Sequence, residues 1–339
     1  MVISLVLLAL LVISMMFNAG SFLNELAGVS NAQRRSSGPR LDEVIKESGS
    51  KEKIVVIPIE GIISSSLGGR SGFNLVDLIK AQLARAEADD TVKAVILRVD
   101  SPGGEVLASD DIARCLTKFQ NTAYKPVVVS MGSLAASGGY YVSAPCSWIV
   151  ANKLTITGSI GVIMHGYNYR GLMDKIGLRP EVYKSGKFKD MLSGDRETTE
   201  ITAEERAMVQ KLIDETYGQF KTVVAEGRDG AAKNNAEVRP LAKDWKDYAD
   251  GRVLSGKEAY DLGLVDELGD FDTAVARART LGEITKKPTL VEYRLRLDFA
   301  DLFSIWGKSD ATVVKVDLGV EAPQLRPGCM YFLAPTFLH

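Results

Sequence analysis

Histidine is nearly missing from this chain: its 339 residues include two, His165 and His339, and the second is the last residue. A metal site built on a histidine pair has little material here, and a Ser–His–Asp triad would rest on His165 alone. Cysteine is scarce too. Cys115, Cys146 and Cys329 are scattered, with no C-x-x-C pair, which argues against a disulfide framework and against a zinc ribbon. They read as buried or free thiols. Positive charge is not in excess: 41 Lys and Arg stand against 43 Asp and Glu, a net charge of −2. That balance gives no footprint for a nucleic-acid backbone, so no nucleic-acid partner is expected. Long internal repeats and low-complexity tracts are also missing. Neither a metal nor a cofactor is expected.

What is present begins with MVISLVLLALLVISMMFNAGSFLN, which carries no charge before Glu25. The run approaches the length of about 20 residues that spans a bilayer, so residues 1–24 are expected to form a transmembrane anchor. A cleaved signal peptide would want a positive n-region, which is lacking, although Val29 to Ala32 offers small residues for cleavage. A core helix fits poorly, because a polar stretch follows directly. Residues 25–52 read as a solvated linker. Arg34, Arg35 and Arg40 follow the apolar run, and the positive-inside rule would place the main domain in the cytoplasm.

From Lys53 the pattern changes. KIVVIPIEGII reads as a buried strand, KAVILRVD as a second and KPVVVSMGS as a third. Helical spacing fills the intervals at Asn74–Ala88 and Val106–Phe119. Strand–helix–strand alternation implies an α/β fold with a mostly parallel sheet. Further on, Thr202 with Glu205 and Ser255 with Glu258 form capping boxes. The first opens a long helix whose apolar face is expected to run through Met208, Leu212, Ile213, Tyr217, Phe220 and Val224. The domain is expected over 53–284. Residues 285–339 form a C-terminal extension with no assigned role.

The stretch SLAASGGYY, Ser133 to Tyr141, carries the chemistry. Its AASGG core is a relative of the G-x-S-x-G nucleophile turn, with alanine in place of the first glycine. Small neighbours let the backbone bend and let a carbonyl approach Ser137. The Gly138 N–H is a candidate oxyanion donor. The same small residues would equally serve a tight strand-to-helix junction. DSPGG, Asp100 to Gly104, sits at a strand's C-terminal end, where ligands bind in open α/β sheets, and Gly104 is a second candidate donor. As an ordinary strand-ending turn it would need no further purpose. For a base the chain offers His165 or the lysines of KSGKFKD, which as Lys184, Lys187 and Lys189 otherwise read as a solvated face. A lysine base must be neutral, and burial is what lowers its pKa. Ser159, in the charge-free stretch TGSIGV, has a hydroxyl that could hold a neutral lysine.

Taken together, DSPGG, MGSLAASGGYYVS, TITGSIGVI, YKSGKFKD and GRVLSGKEAYDLGLVDELG resemble the bacterial signal peptide peptidase A family, the protease IV-like peptidases. They cover about Lys53 to Gly269 in the family's order, once, as in its short single-unit form. The resemblance implies a Clp-protease/crotonase-like fold of repeated ββα units behind an N-terminal transmembrane helix. It implies a Ser–Lys dyad, with Ser137 as nucleophile, Lys189 as base, Ser159 orienting that lysine, and the Gly104 and Gly138 N–H groups as oxyanion donors. It also implies homo-oligomers that share sites between subunits, so that Lys189 serves a neighbour's Ser137. Apolar peptides such as signal-peptide remnants are the expected substrates. The chain is expected as a single-pass protein of the bacterial cytoplasmic membrane, its catalytic domain on the extracytoplasmic side. Two other readings share features with this one: a crotonase-type acyl-CoA enzyme and a non-catalytic scaffold in a membrane complex.

Overall fold

The computed structural model describes residues 38–65, 73–296 and 330–334. The expected anchor over residues 1–24 lies outside them. Among the described residues no helix is long and apolar enough to cross a membrane.

The chain starts with an edge strand β1 (Leu41–Glu47) and a buried strand β2 (Lys53–Glu60). Helix α1 (Leu75–Ala88) leads to β3 (Val92–Ser101) and the short β4 (Gly103–Glu105). Helix α2 (Val106–Ala123) leads to β5 (Val127–Ala136), which runs into α3 (Gly138–Ser143). Four short strands come next in the sheets: β6 (Trp148–Ala151), β7 (Ile156–Gly158), β8 (Ile163–Met164) and, after helices α4 (Arg170–Lys175) and α5 (Ala203–Asn234), β9 (Val253–Ser255). Helix α6 (Gly256–Asp261), β10 (Glu267–Leu268), helix α7 (Phe271–Leu281), β11 (Thr289–Leu295) and β12 (Met330–Leu333) complete the described elements.

The main sheet runs β1-β11-β2-β3-β5-β6-β10, with β7 beside β5 and β9 beside β7. Strands β11, β2, β3, β5, β6 and β10 pair in parallel, whereas β1 and β9 pair antiparallel. This is the expected α/β class. Helices on both faces make the central strands nearly all apolar, as the sequence of β2, β3 and β5 requires. Val55, Ile57, Val95, Leu97 and Val129 face one layer, which holds Ile79 and Leu83 of α1 and Ile112 and Leu116 of α2. Ile54, Ala94, Ile96 and Val128 face the other, against Ala274 and Ala278 of α7.

Helix starts follow the sequence closely. Asn74 caps α1 by accepting from the Asp77 N–H, and both capping boxes form. The expected apolar face of α5 is only partly buried. Phe220 and Val224 are fully buried, but Leu212 is 44% exposed. The helix has 32 residues, and at 1.5 Å per residue its first half runs past the layer its second half covers.

Two domain boundaries move. The linker reading of 25–52 hid β1, and the extension reading of 285–339 hid β11 and β12. β1 pairs β11 from Leu41 opposite Leu295, and β11 pairs β2, so the sheet reaches past 53 and past 284 on both sides. An edge strand with one wet face carries enough charge, as LDEVIKE does, to read as linker.

The thiol of Cys146 is buried and pushed up to about 12 by desolvation, so it stays protonated; Cys115 is free as well. The heaviest buried polar group is Arg228 of α5. Its guanidinium donates to both oxygens of Asp266, at 2.6 and 2.5 Å, and to the carbonyl of Cys146 at 3.0 Å. Asp266 also accepts the Ile149 N–H at 2.8 Å, so the pair ties α5 to β6. Burial pushes the Asp266 carboxyl above its usual range, against the opposing pull of Arg228. Removing one partner strands the other charge in the core. Asp266→Ala is expected to cost about 3–5 kcal/mol in urea denaturation, and the double variant Arg228→Met/Asp266→Leu to recover most of it.

Candidate active site

Ser137 lies between the last residue of β5 and the first turn of α3. Its backbone has φ 54° and ψ −116°, a conformation that favours glycine. The strain is held from several sides. The Ser137 N–H donates to the Gly158 carbonyl at 2.8 Å, and its carbonyl accepts from Tyr141 at 2.8 Å. Thr157 Oγ1 donates to the Ala135 carbonyl at 2.7 Å, which keeps β7 against the end of β5. Tyr140, fully buried in α3, donates its hydroxyl to the Leu264 carbonyl at 2.9 Å. The Ser137 side chain is buried, and its Oγ has no hydrogen-bond partner. A buried hydroxyl without a partner is costly, so something at this position offsets that cost.

The DSPGG turn comes to the same place. Ser101 Oγ donates to the Gly61 carbonyl at 2.6 Å and accepts the Gly103 N–H at 3.1 Å, which shapes the turn. Asp100 Oδ1 accepts the Leu134 N–H at 3.1 Å, tying the ends of β3 and β5. A Cβ on Gly138 would stand 3.0 Å from Gly103 Cα, 3.0 Å from Gly104 N and 2.7 Å from Ser109 Oγ. A Cβ on Gly104 would stand 1.9 Å from the Ile63 carbonyl oxygen. The glycines are therefore required by backbone meeting backbone. Both readings of the small residues hold at once: a tight junction, and a cleared space at Ser137.

Ser159 is also brought in. It is buried, sits at φ 49° and follows Gly158, whose carbonyl binds Ser137. It lines a cavity of about 520 Å³ with Gly161, Ile163, Tyr217, Asp250 and Leu333. Lys189 is not brought in. It is exposed, and its hydrogen bond is a backbone one, to Gly186 at 3.3 Å. Within one chain it does not reach Ser137 Oγ. Its neighbours are committed elsewhere: Lys184 to Asp190 and Lys187 to Glu204, each at 2.6 Å. Among the described residues no carboxylate pairs with Lys189. His165 has its ring 4.7 Å from that of Tyr167 and makes no bond to Ser137.

The sequence that builds this parallel-strand end, with its strained, buried serine and two glycine backbones, matches a family of proteases. The model of peptidase family S49 matches residues 120–285. A protein of Enterococcus faecium carrying the name signal peptide peptidase SppA is 36% identical over 257 residues, 75% of this chain and 70% of its own length. A protein of Synechocystis named as a protease is 40% identical over 236 residues, 69% of this chain and 76% of its own. Protease 4 of Salmonella typhi is 38% identical over 208 residues, 61% of this chain and 31% of its own. The chain belongs to the signal peptide peptidase A family of S49 peptidases. It is a serine-type peptidase by that membership.

Sequence reasoning missed three parts of this candidate site. Thr157 and Ser101 hold the two turns through side-chain bonds that no spacing rule exposes. The third is β12, whose four apolar residues at the end of a mixed tail carry too little periodicity to stand out. The Lys189 segment is itself anchored. Arg196 binds Glu205 at 2.6 Å at the start of α5. That guanidinium, with the Thr202 N–H, holds the Glu205 carboxyl down to about 2, from an ordinary 4.5.

Ser137→Gly relieves the backbone strain and removes the unpaired hydroxyl, and is expected to stabilise the fold by about 1 kcal/mol or more in urea denaturation. An unchanged or lower midpoint would count against stored strain. Because the folded Glu205 pKa is depressed, its contribution is present above about pH 4.5 and lost as pH falls toward 2. Wild type is expected to melt higher than Glu205→Gln at neutral pH, with the gap closing as the solution is acidified through that window.

Proposed function

We propose that this peptidase is a membrane-anchored serine endopeptidase that cleaves apolar peptides, such as remnant signal peptides, with a Ser137–Lys189 dyad. The observation that carries the reading is the buried, unpartnered Ser137 hydroxyl on a strained turn beside the Gly104 and Gly138 backbones. Ser137 Oγ attacks the peptide carbonyl and hands its proton to neutral Lys189. The N–H groups of Gly104 and Gly138 hold the oxyanion. Lys189 then protonates the leaving amine and later takes a proton from the attacking water. Ser159 orients the lysine. The fold reading that accompanies this mechanism is the Clp-protease/crotonase type.

The exposed position of Lys189 supports a site shared between subunits rather than one completed within a chain. Leu172, Ile176, Leu178, Val182 and Tyr183 are exposed in the segment that leads to it, an apolar surface suited to a neighbouring copy. Contact with that neighbour supplies the burial a lysine base needs. We take the anchor to be residues 1–24 and, against the positive-inside reading of Arg34, Arg35 and Arg40, the catalytic domain to lie on the extracytoplasmic side of the bacterial cytoplasmic membrane.

Cleavage of a fluorogenic apolar peptide tests the dyad. Ser137→Ala is expected to lose about 10³-fold or more, and Lys189→Ala about 10²–10⁴-fold. Co-assembly of the two inactive variants is expected to restore roughly a quarter of wild-type activity, because a random mixture completes that fraction of shared sites. Wild-type rates in Ser137→Ala would sink the reading. No recovery in the mixture would place Lys189 with its own chain's Ser137.

A further inference from the structure

Lysines stand at 184, 187 and 189, and the structure commits two of them. Lys184 donates its ammonium to Asp190 Oδ2 at 2.6 Å. Lys187 donates to Glu204 of α5 at 2.6 Å and lies 4.6 Å from the centre of the Phe188 ring. Lys189 is left exposed, although the residue that follows it is an aspartate. A carboxylate within reach of a lysine holds it in its charged form, which is useless to a base. Asp190 is kept from doing so.

Cations reach Asp190 from both directions along the chain. Lys184 comes from six residues before it, and Arg196 from six residues after it, with Nε 3.6 Å from Oδ2. Arg196 also donates to the Asp190 carbonyl at 3.4 Å, to the Glu200 carbonyl at 2.7 Å and to Glu205 of α5 at 2.6 Å. The series Lys184, Asp190, Arg196, Glu205 alternates in charge and ends on the capped start of α5. The Lys184 ammonium holds the Asp190 carboxyl below the ordinary carboxylate range. The Asp190 side chain is 14% exposed, and its Oδ1 is buried with no partner. Of the other acids on this segment, Glu197, Glu204 and Glu205 pair with Arg170, Lys187 and Arg196, and Asp195 accepts from the Ser193 hydroxyl.

We propose that Lys184 and Arg196 sequester the Asp190 carboxylate from Lys189, so that Lys184, Asp190 and Arg196 are positioning residues that leave the Lys189 amine without a counter-charge. The proposal rests on the peptidase reading above, in which Lys189 is the base. Two cations around one carboxylate more than cancel its charge, and its unfilled oxygen is closed off from solvent. Removing Lys184 leaves Asp190 with a single cation at 3.6 Å and uncovers an acceptor next to Lys189 in the chain. An unpaired buried acceptor is costly, so the Lys189 ammonium is drawn to it and held charged. The motif's three lysines thus have three tasks: Lys187 ties the segment to α5, Lys184 neutralises the acid, and Lys189 stays free.

The test uses the full chain. Lys184→Met is expected to move the acidic limb of kcat/KM for a fluorogenic apolar peptide up by about one pH unit. The rate is then about tenfold lower at neutral pH and recovers at higher pH. Lys184→Met/Asp190→Asn is expected to return the limb to its wild-type position. A limb that stays in place in Lys184→Met, whether or not the rate falls equally at every pH, overturns the proposal, as does a double variant that stays shifted. A second measurement needs no hydrolysis: competitive acetylation of Lys189 against pH in full-length Ser137→Ala, read by peptide mass spectrometry. The midpoint is expected to rise by about one pH unit when Lys184→Met is added. A moved midpoint, in a protein whose wild type hydrolyses nothing, would uphold the sequestered Asp190 and sink the peptidase reading. Hydrolysis by wild type with an unmoved midpoint would do the reverse.

Discussion

Two turns of backbone meet with no room for a side chain between them, and the site is a consequence of that meeting. Gly103–Gly104 follows the end of β3, Ser137–Gly138 follows the end of β5, and a Cβ on Gly138 would press on the first turn at 3.0 Å. β3 and β5 are parallel neighbours, so their C-terminal ends arrive together. The remaining framework keeps them there. Asp100 ties one strand end to the other, Thr157 holds β7 against β5, and the Arg228–Asp266 pair fixes α5 to the sheet. The strained Ser137 backbone persists because all of its surroundings are over-determined.

Much of this was legible in the sequence, for identifiable reasons. β2, β3 and β5 are buried on both faces, and such strands must be continuous runs of branched apolar residues. Thr202 and Ser255 announced helix starts because a cap is a local bond between near neighbours. Ser137, Ser159, Gly104 and Gly138 stood out because a cleared backbone needs glycine, alanine and serine in close order. What stayed hidden depends on distant partners. β1 is charged on its wet face and is recognisable only once β11 lies beside it. Arg228 sits on the same helix side as Phe220 and Val224, and no local pattern says that its partner is Asp266, 38 residues away. Lys189 was singled out by its motif, yet a motif carries no statement of which chain's serine a lysine meets.

The Lys189 segment has a physical character that the sheet lacks. It is held to the rest by ion pairs at its rim, Arg196 to Glu205 and Lys187 to Glu204. An element held so lightly opens at lower free energy than the core strands. β12 is short, but its Phe332 ring is buried against Tyr141 and Phe220, so it belongs with the frame. The rigid part of the molecule therefore carries Ser137, the proposed nucleophile, and the lightly held segment carries the proposed base.

The pairing of β1 with β11 has a consequence of another kind. Leu41 stands opposite Leu295, so the chain that enters the sheet at one residue leaves it on the adjoining strand after 254 further residues. The path between is a closed excursion that returns to its doorstep. A fold whose entrance and exit adjoin can be spliced into a loop of another protein without stretching its host, or cut open elsewhere and rejoined there. The sheet from β1 to β11 is, in that sense, a portable module, to which β12 is added from beyond its exit.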